Sequence, residues 1–380
     1  MNIRYAVGLV IIVLCAFSQV SCGGGSDSQS ASTIVDISPS GDYSLSTASA
    51  INDYGTVVGT AFNHPTDRNF IWNSRDGIKE IDVQAITKQA ITRGTIVDIN
   101  DDGDILISGS KEISDGFHED SDCVINTTGN ISFGPVSYIA SFNNKAEVIG
   151  CDSIVDRAYR DCWISRAGTK TYYERASLEQ GFNPLLINDL GDVVGYKQTG
   201  FGAEDFPYDY SLKLADTGAV VKLPPGTGNM YETMGVDAFL PGAINNSRII
   251  AGSYNGKLAL FNPASSVLTS IDNRANIDGG PALMSTPLHI NDDGVVVGYL
   301  WDNYSPRLND QDENRRAFIY HPDYGMLDIN DLVGKNSGWD LLQANHVNKN
   351  WDIVGDGIHD GQWHSFLVHG KELLKASSAK

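Results

Sequence analysis

The stretch INDYGTVVG, Ile51–Gly59, is written again as INDLGDVVG, Ile187–Gly195, and as INDDGVVVG, Ile290–Gly298. Aligning it exposes a longer series. Anchor asparagines stand at Asn52, Asn100, Asn143, Asn188, Asn245, Asn291 and Asn348, at intervals of 43 to 57 residues. Seven places after the anchor comes a glycine: Gly59, Gly150, Gly195, Gly252, Gly298 and Gly355. Only the second unit departs, with Ile107 there and Gly109 two places later. A period of this length indicates a propeller or a solenoid, in which no unit buries its apolar faces alone.

Each unit has an inner plan. An apolar run precedes the anchor, as in TIVDIN at Thr95–Asn100, and VVG follows it. After a variable stretch comes a second run, such as NFIWN at Asn69–Asn73, DCWIS at Asp161–Ser165 or RAFIYHP at Arg316–Pro322. A turn follows, and a short closing run such as IKEID at Ile78–Asp82 or MLDIN at Met326–Asn330. These runs are short, β-branched and aromatic, and bounded by Gly, Asn and Asp, so they read as strands. The expected fold is all-β: a β-propeller of seven four-stranded blades spanning residues 33–374. The orphan run Thr33–Ile37 is expected to close the last blade, with Lys371–Leu374 competing for that place and 375–380 left as a tail.

Within the phrase, Asn52 suits the first position of a type I turn and Gly55 the left-handed position after it. Ala146, Arg248 and Trp351 replace that glycine in three units, which leaves their turn type open. The Asp after the anchor reads as solvent-facing turn chemistry. The later glycine reads as a bulge or a close backbone approach.

The amino terminus reads as an export signal. Arg4 supplies positive charge, and Ala6–Phe17 is an apolar run too short to span a bilayer as a helix. Val20-Ser21-Cys22 resembles the lipobox of bacterial lipoproteins, although Gln19 departs from the usual Leu. The resemblance implies a leader over 1–21, lipid on Cys22, and a Gly/Ser-rich tether over 22–32. The location is then the bacterial envelope, as an outer-membrane-anchored lipoprotein; ordinary cleavage after Ser18 would give a secreted or periplasmic protein instead. Of the remaining cysteines, Cys151 and Cys162 flank a short loop and form the expected disulfide, with Cys123 left over.

The repeat pattern itself resembles the HAF repeats of bacterial extracellular proteins. Ile51-Asn52 with Gly55 and Gly59, then Asn69-Phe70-Ile71-Trp72 or Ala317-Phe318-Ile319-Tyr320, then Asp82 or Asp328 carry the likeness. It covers nearly all of Thr33–Leu374, and implies an exported repeat protein with no established activity.

A formal charge of −20 argues against a nucleic-acid partner and against docking on anionic lipid through charge. No esterase elbow, zinc-protease, phosphate-loop or sialidase Asp-box motif occurs. Asp98, Asn100 and Asp102 open like a calcium loop, but Gly109 stands where its bidentate Glu belongs, so Ca²⁺ is a minor alternative to no cofactor. His346, His359, His364 and His369 share one unit without metal-ligand spacing, and are expected at the surface or in turns. Long dissimilar connections, such as Tyr196–Tyr210 and Tyr299–Arg316, mark one face as the functional one. Phe206, Tyr208, Trp301, Tyr304 and Arg307 are its binding candidates, set against packing of the same aromatics onto their own loops. The expected function is a monomeric, non-catalytic binding or scaffold propeller for a protein or glycan, with membrane contact only through the lipid. The alternative is a carbohydrate-active hydrolase or lyase working at the channel mouth.

Overall fold

The computed structural model describes residues 34–41, 43, 45–62, 67–88, 91–114, 117–120, 122–126, 138–152, 161–166, 168–173, 181–198, 207–224, 226–227, 239–272, 284–301 and 315–378. At Asn52 the Gly55 N–H donates to the Asn52 carbonyl, and the Asn52 N–H to the Thr56 carbonyl, both at 3.0 Å. The same two bonds recur at Asn100, Asn143, Asn188, Asn245, Asn291 and Asn348. The fourth residue is left-handed throughout: φ is 78° at Gly55, and 54°, 65° and 67° at Ala146, Arg248 and Trp351. One turn type therefore serves all seven units. A side chain in that conformation costs about 1 kcal/mol. Arg248 offsets it with ion pairs to Asp192 (2.8 Å) and Asp216 (2.9 Å), and Trp351 by donating its indole N–H to Asp293 (2.7 Å).

The turns join the two innermost strands of each unit, and every first strand slips register just before its anchor, that of unit seven slipping a second time between Leu341 and Gln343. The slips lie between Ala48 and Ala50, Ile96 and Asp98, Ile139 and Ser141, Pro184 and Leu186, Pro241 and Ala243, Pro287 and His289, and Ala344 and His346. The late glycine faces the residue before the slip, as in Ala48↔Gly59 and Ala344↔Gly355. A Cβ on Gly59 or Gly298 would sit 2.1 Å from the carbonyl of Thr47 or Thr286, and one on Gly355 1.9 Å from that of Gln343. The rings of Phe70, Phe318 and Phe366 cover these same glycines. That contact explains why the glycine and the Phe of the third strand recur together.

The molecule is an all-β propeller of four-stranded blades. Hydrogen bonding divides the described strands into six sheets. Five are separate blades, the one beginning at Asn183–Ile187 carrying an extra two-residue strand at Gly226–Thr227. In the blade of unit two the third strand is split, and Phe117–Asp120 and Cys123–Ile125 both pair with Ile105–Ser114. The sixth sheet has eight strands and takes in units one and seven. Seven separate sheets are thus not what forms. Leu45 pairs in parallel with Trp363, and the Ser46 and Ser365 hydroxyls meet at 2.7 Å, which fuses first and last units.

Ring closure uses the leading strand. Ile34–Asp36 lies antiparallel on Gln362–His369, with Ile34 opposite Val368. Its competitor Lys371–Leu374 is no strand but part of the helix Gly370–Ser378, whose Leu373 and Leu374 pack beside Ile319 and Ile353. The sheet edge is already taken, and KELLKA is rich in helix formers. Among the described residues no helix is long and apolar enough to cross a membrane. The leader, Cys22 and the tether lie outside the described residues.

A disulfide joins Cys151 to Cys162, directly opposite each other on neighbouring strands; Cys123 is buried and free. Replacing both bridged cysteines by serine is expected to cost about 3 kcal/mol through the freed loop. Denaturant unfolding reads this, and an unchanged midpoint would show that the bridge adds nothing.

Candidate functional site: the central cavity

Six hydrogen bonds link the seven anchors around the axis, with a break between Asn100 and Asn143. The Asn52 side-chain amide donates to the Asn100 carbonyl (3.1 Å), Asn143 to Asn188 (2.8 Å), and Asn188 to Asn245 (3.1 Å). Asn245 then donates to Asn291 (3.0 Å), Asn291 to Asn348 (3.0 Å), and Asn348 back to Asn52 (3.1 Å). Asn100 instead donates to its own unit's Asp104 at 3.1 Å.

The residues after the anchors make a second series of bonds around the axis, open between Asp292 and Lys349. The N–H of Asp53 donates to Asp101 Oδ1, Asp101 to Asn144, Asn144 to Asp189, Asp189 to Asn246 and Asn246 to Asp292, each at 2.8 Å. Lys349 N–H closes onto Asp53 Oδ1 at 2.9 Å, and its ammonium lies 3.3 Å from Asp53 Oδ2. Solvent-facing turn chemistry is therefore the wrong description of the Asp in I-N-D: its side chain accepts the neighbouring unit's backbone N–H.

Both series frame a cavity of about 310 Å³ on the propeller axis. The residue two before each anchor lines its wall: Ala50, Asp98, Ser141, Leu186, Ala243, His289 and His346. Inside a constant frame this position varies freely in chemistry. His289 and His346 stack with centroids 3.6 Å apart. Their Nδ1 atoms are buried with no hydrogen-bond partner among the described residues. Burial pushes His289 down to about 4, and it pushes His346 well below its ordinary value, helped by His289. Both are therefore neutral at pH 7. Across the ring, burial pushes Asp98 up to about 7 against the N–H of Ile99, and the charge of Asp189 adds to the rise.

The sequence candidates are distributed differently. Asp98 faces the cavity, Asn100 belongs to the anchor ring and Asp102 is exposed. Asn100 Oδ1 accepts from the Asp104 N–H at 2.7 Å. Among the described residues no group of three or more His, Cys, Asp or Glu side chains could hold a metal ion. Tyr208 packs edge-on against Tyr196 at 4.7 Å, and Trp301 ends the strand Val296–Trp301 half-buried. Phe206, Tyr304 and Arg307 lie outside the described residues. His346 is a correction: it sits in the cavity wall rather than at the surface, because its strand is the innermost of its blade. His364 pairs with Asp36 at 2.8 Å, His369 with Asp352 at 2.7 Å, and His359 stacks on Trp339 at 4.5 Å. The His289–His346 pair went unseen in the sequence. Its one signal is that both residues stand two places before an anchor, at units six and seven.

The chain matches no protein-family model and no curated protein. Its fold is shared with solved propellers. The β-propeller domain of the Trilobed protease from Pyrococcus furiosus superposes with a TM-score of 0.55 at 12% identity, over 87% of this chain and 95% of that one. A streptogramin B lyase gives 0.50 at 9% identity, over 88% and 96%. The oligogalacturonate lyase of Vibrio parahaemolyticus gives 0.50 at 10%, over 90% and 95%. At such identities the likeness defines the class of the chain, a β-propeller, and nothing finer.

Proposed function

We propose that this chain is an exported, monomeric HAF-repeat propeller of the bacterial cell envelope, anchored through lipid on Cys22, that binds a small ligand in its central cavity without transforming it. In this reading the eight-stranded sheet works as two blades, so that seven blade units surround the axis, one per anchor. The observation that carries the binding role is the cavity wall. The framing residues repeat, whereas the seven wall residues at one register position run from Ala to Asp to His. Selection for folding alone would favour sameness there, as it does in the frame. The long loops of the opposite face are left as the surface for a protein or glycan partner.

A second reading is a hydrolase or lyase at the same place. Asp98, raised to about 7, is a proton donor near neutrality, while His289 and His346 are neutral acceptors. Such divergence is how acid and base roles are assigned. The test is a small-molecule library screened by thermal shift and calorimetry, with products analysed by mass spectrometry. Ser141→Phe, which places a ring at a partly exposed position of the cavity wall, is expected to weaken a hit by at least ~10-fold, and Trp301→Ala to leave it within about twofold. The reverse ranking would move the site to the loops. Turnover of any hit, lost in Asp98→Asn, would establish the second reading.

A further inference from the structure

We propose that the ligand of this cavity is a small organic cation, a primary amine on an apolar body, whose ammonium is held by Asp98 and the carboxylates of the inner ring. This rests on the cavity being the binding site. The carboxylates of Asp53, Asp98, Asp101, Asp189 and Asp292 all line it. Set against them is one ammonium, Lys349, which is paired with Asp53 at 3.3 Å. Both imidazoles offer no positive charge. An anion entering here would meet repulsion, and a wholly apolar guest would strip water from carboxylates whose charge the backbone N–H bonds only partly satisfy. The rest of the wall, including Ile51, Val97, Leu186, Ala243 and Leu288, suits an alkyl body. Its volume holds about ten waters, and so a guest of about that many heavy atoms.

Two other guests fit less well. The lining contains no tryptophan or tyrosine and its Phe142 is buried, so it offers no exposed ring on which a sugar could stack. A transition metal must lie in the plane of each imidazole that binds it. His289 and His346 lie face to face, with 26° between their planes, so one ion cannot meet both Nδ1 atoms in this arrangement.

The test is calorimetric titration of the purified full-length chain with n-hexylamine, n-hexanol, hexanoate and zinc chloride, each repeated on Asp98→Asn. Hexylamine is expected to bind, and Asp98→Asn to weaken it by ~10-fold or more. The sign with pH follows from Asp98. Its ionised form attracts the ammonium, so affinity should rise from about pH 6 to about pH 8 and level off beyond. Asp101, also raised by burial, moves the profile the same way; the neutral His289 and His346 do not titrate in that window. Asp98→Asn should flatten most of the rise. Binding of hexanol or hexanoate with equal or greater affinity would overturn the cationic class while leaving the cavity as the site, provided Ser141→Phe abolishes it. Zinc binding that His289→Ala removes, with no amine response, would also overturn it. Amine binding unaffected by Ser141→Phe would overturn both the class and the site.

Discussion

Gly355→Ala is expected to cost more than ~4 kcal/mol and to leave little soluble protein, because a Cβ there has nowhere to go. It would stand 1.9 Å from the Gln343 carbonyl, 2.8 Å from the Phe366 ring and 2.9 Å from the Ala344 Cα. Two of those neighbours are backbone in the innermost strand, and the third is a fully buried ring. Relief would require undoing the register slip between Ala344 and His346, and with it the anchor turn at Asn348. Gly59→Ala and Gly298→Ala should behave alike, at 2.1 Å from a carbonyl each. Gly77→Ala is the control: its φ is 69° but nothing lies within 4 Å of the added methyl, so about 1 kcal/mol is expected. Chemical unfolding compares the four. Similar costs at Gly77 and Gly355 would show that the inner strands yield, and that the close approach is not a constraint.

Removing residues 34–36 is expected to open the ring. The deletion takes a strand from Gln362–His369, removes the buried Ile34, exposes the edge beneath it, and withdraws Ile37, whose N–H bonds Ser365 at 3.0 Å. Burying one isoleucine alone stabilises by about 1.5–3 kcal/mol. The larger loss comes from neighbour dependence, since every blade covers its neighbours' faces. A second seam opposes opening. The buried Asp356 accepts from Ala48 N–H (3.1 Å), Thr47 Oγ1 (3.0 Å) and Asn345 Nδ2 (3.0 Å), tying units one and seven together. The deletion should therefore lower the melting temperature by several degrees, and its combination with Asp356→Ala should abolish cooperative melting. A melting curve unmoved by the deletion would mean that the seam alone closes the ring.

Much of this fold was legible because it is repeated. The anchor, its turn and the late glycine recur often enough that each explains the others. Closure by the leading run followed from a strand with no blade of its own. The fusion of units one and seven was not legible, since it depends on one parallel pair between Leu45 and Trp363, which no local pattern encodes. Helix Gly370–Ser378 was misread because four residues of KELL suit a strand or a helix equally until the edge is seen to be occupied. The cavity was missed for the opposite reason to the fold. Repetition drew attention to Asn52 and Asp53, which hold the frame. The residues facing the cavity are those that fail to repeat, and Asp98, His289 and His346 come together only when the ring is closed. The role of Asp in I-N-D was likewise hidden, because its partner lies one unit away around the ring, 45–48 residues along the chain for Asp101, Asp189 and Asp292 and 296 for Asp53.

The placement of binding in the cavity is tested most directly by a crystal structure of the chain soaked with its tightest small-molecule hit. Ligand density between Asp98, His289 and His346, inside the ring of anchors, is the expected result. Density confined to the opposite face beside Trp301, with the cavity holding only water, would contradict it.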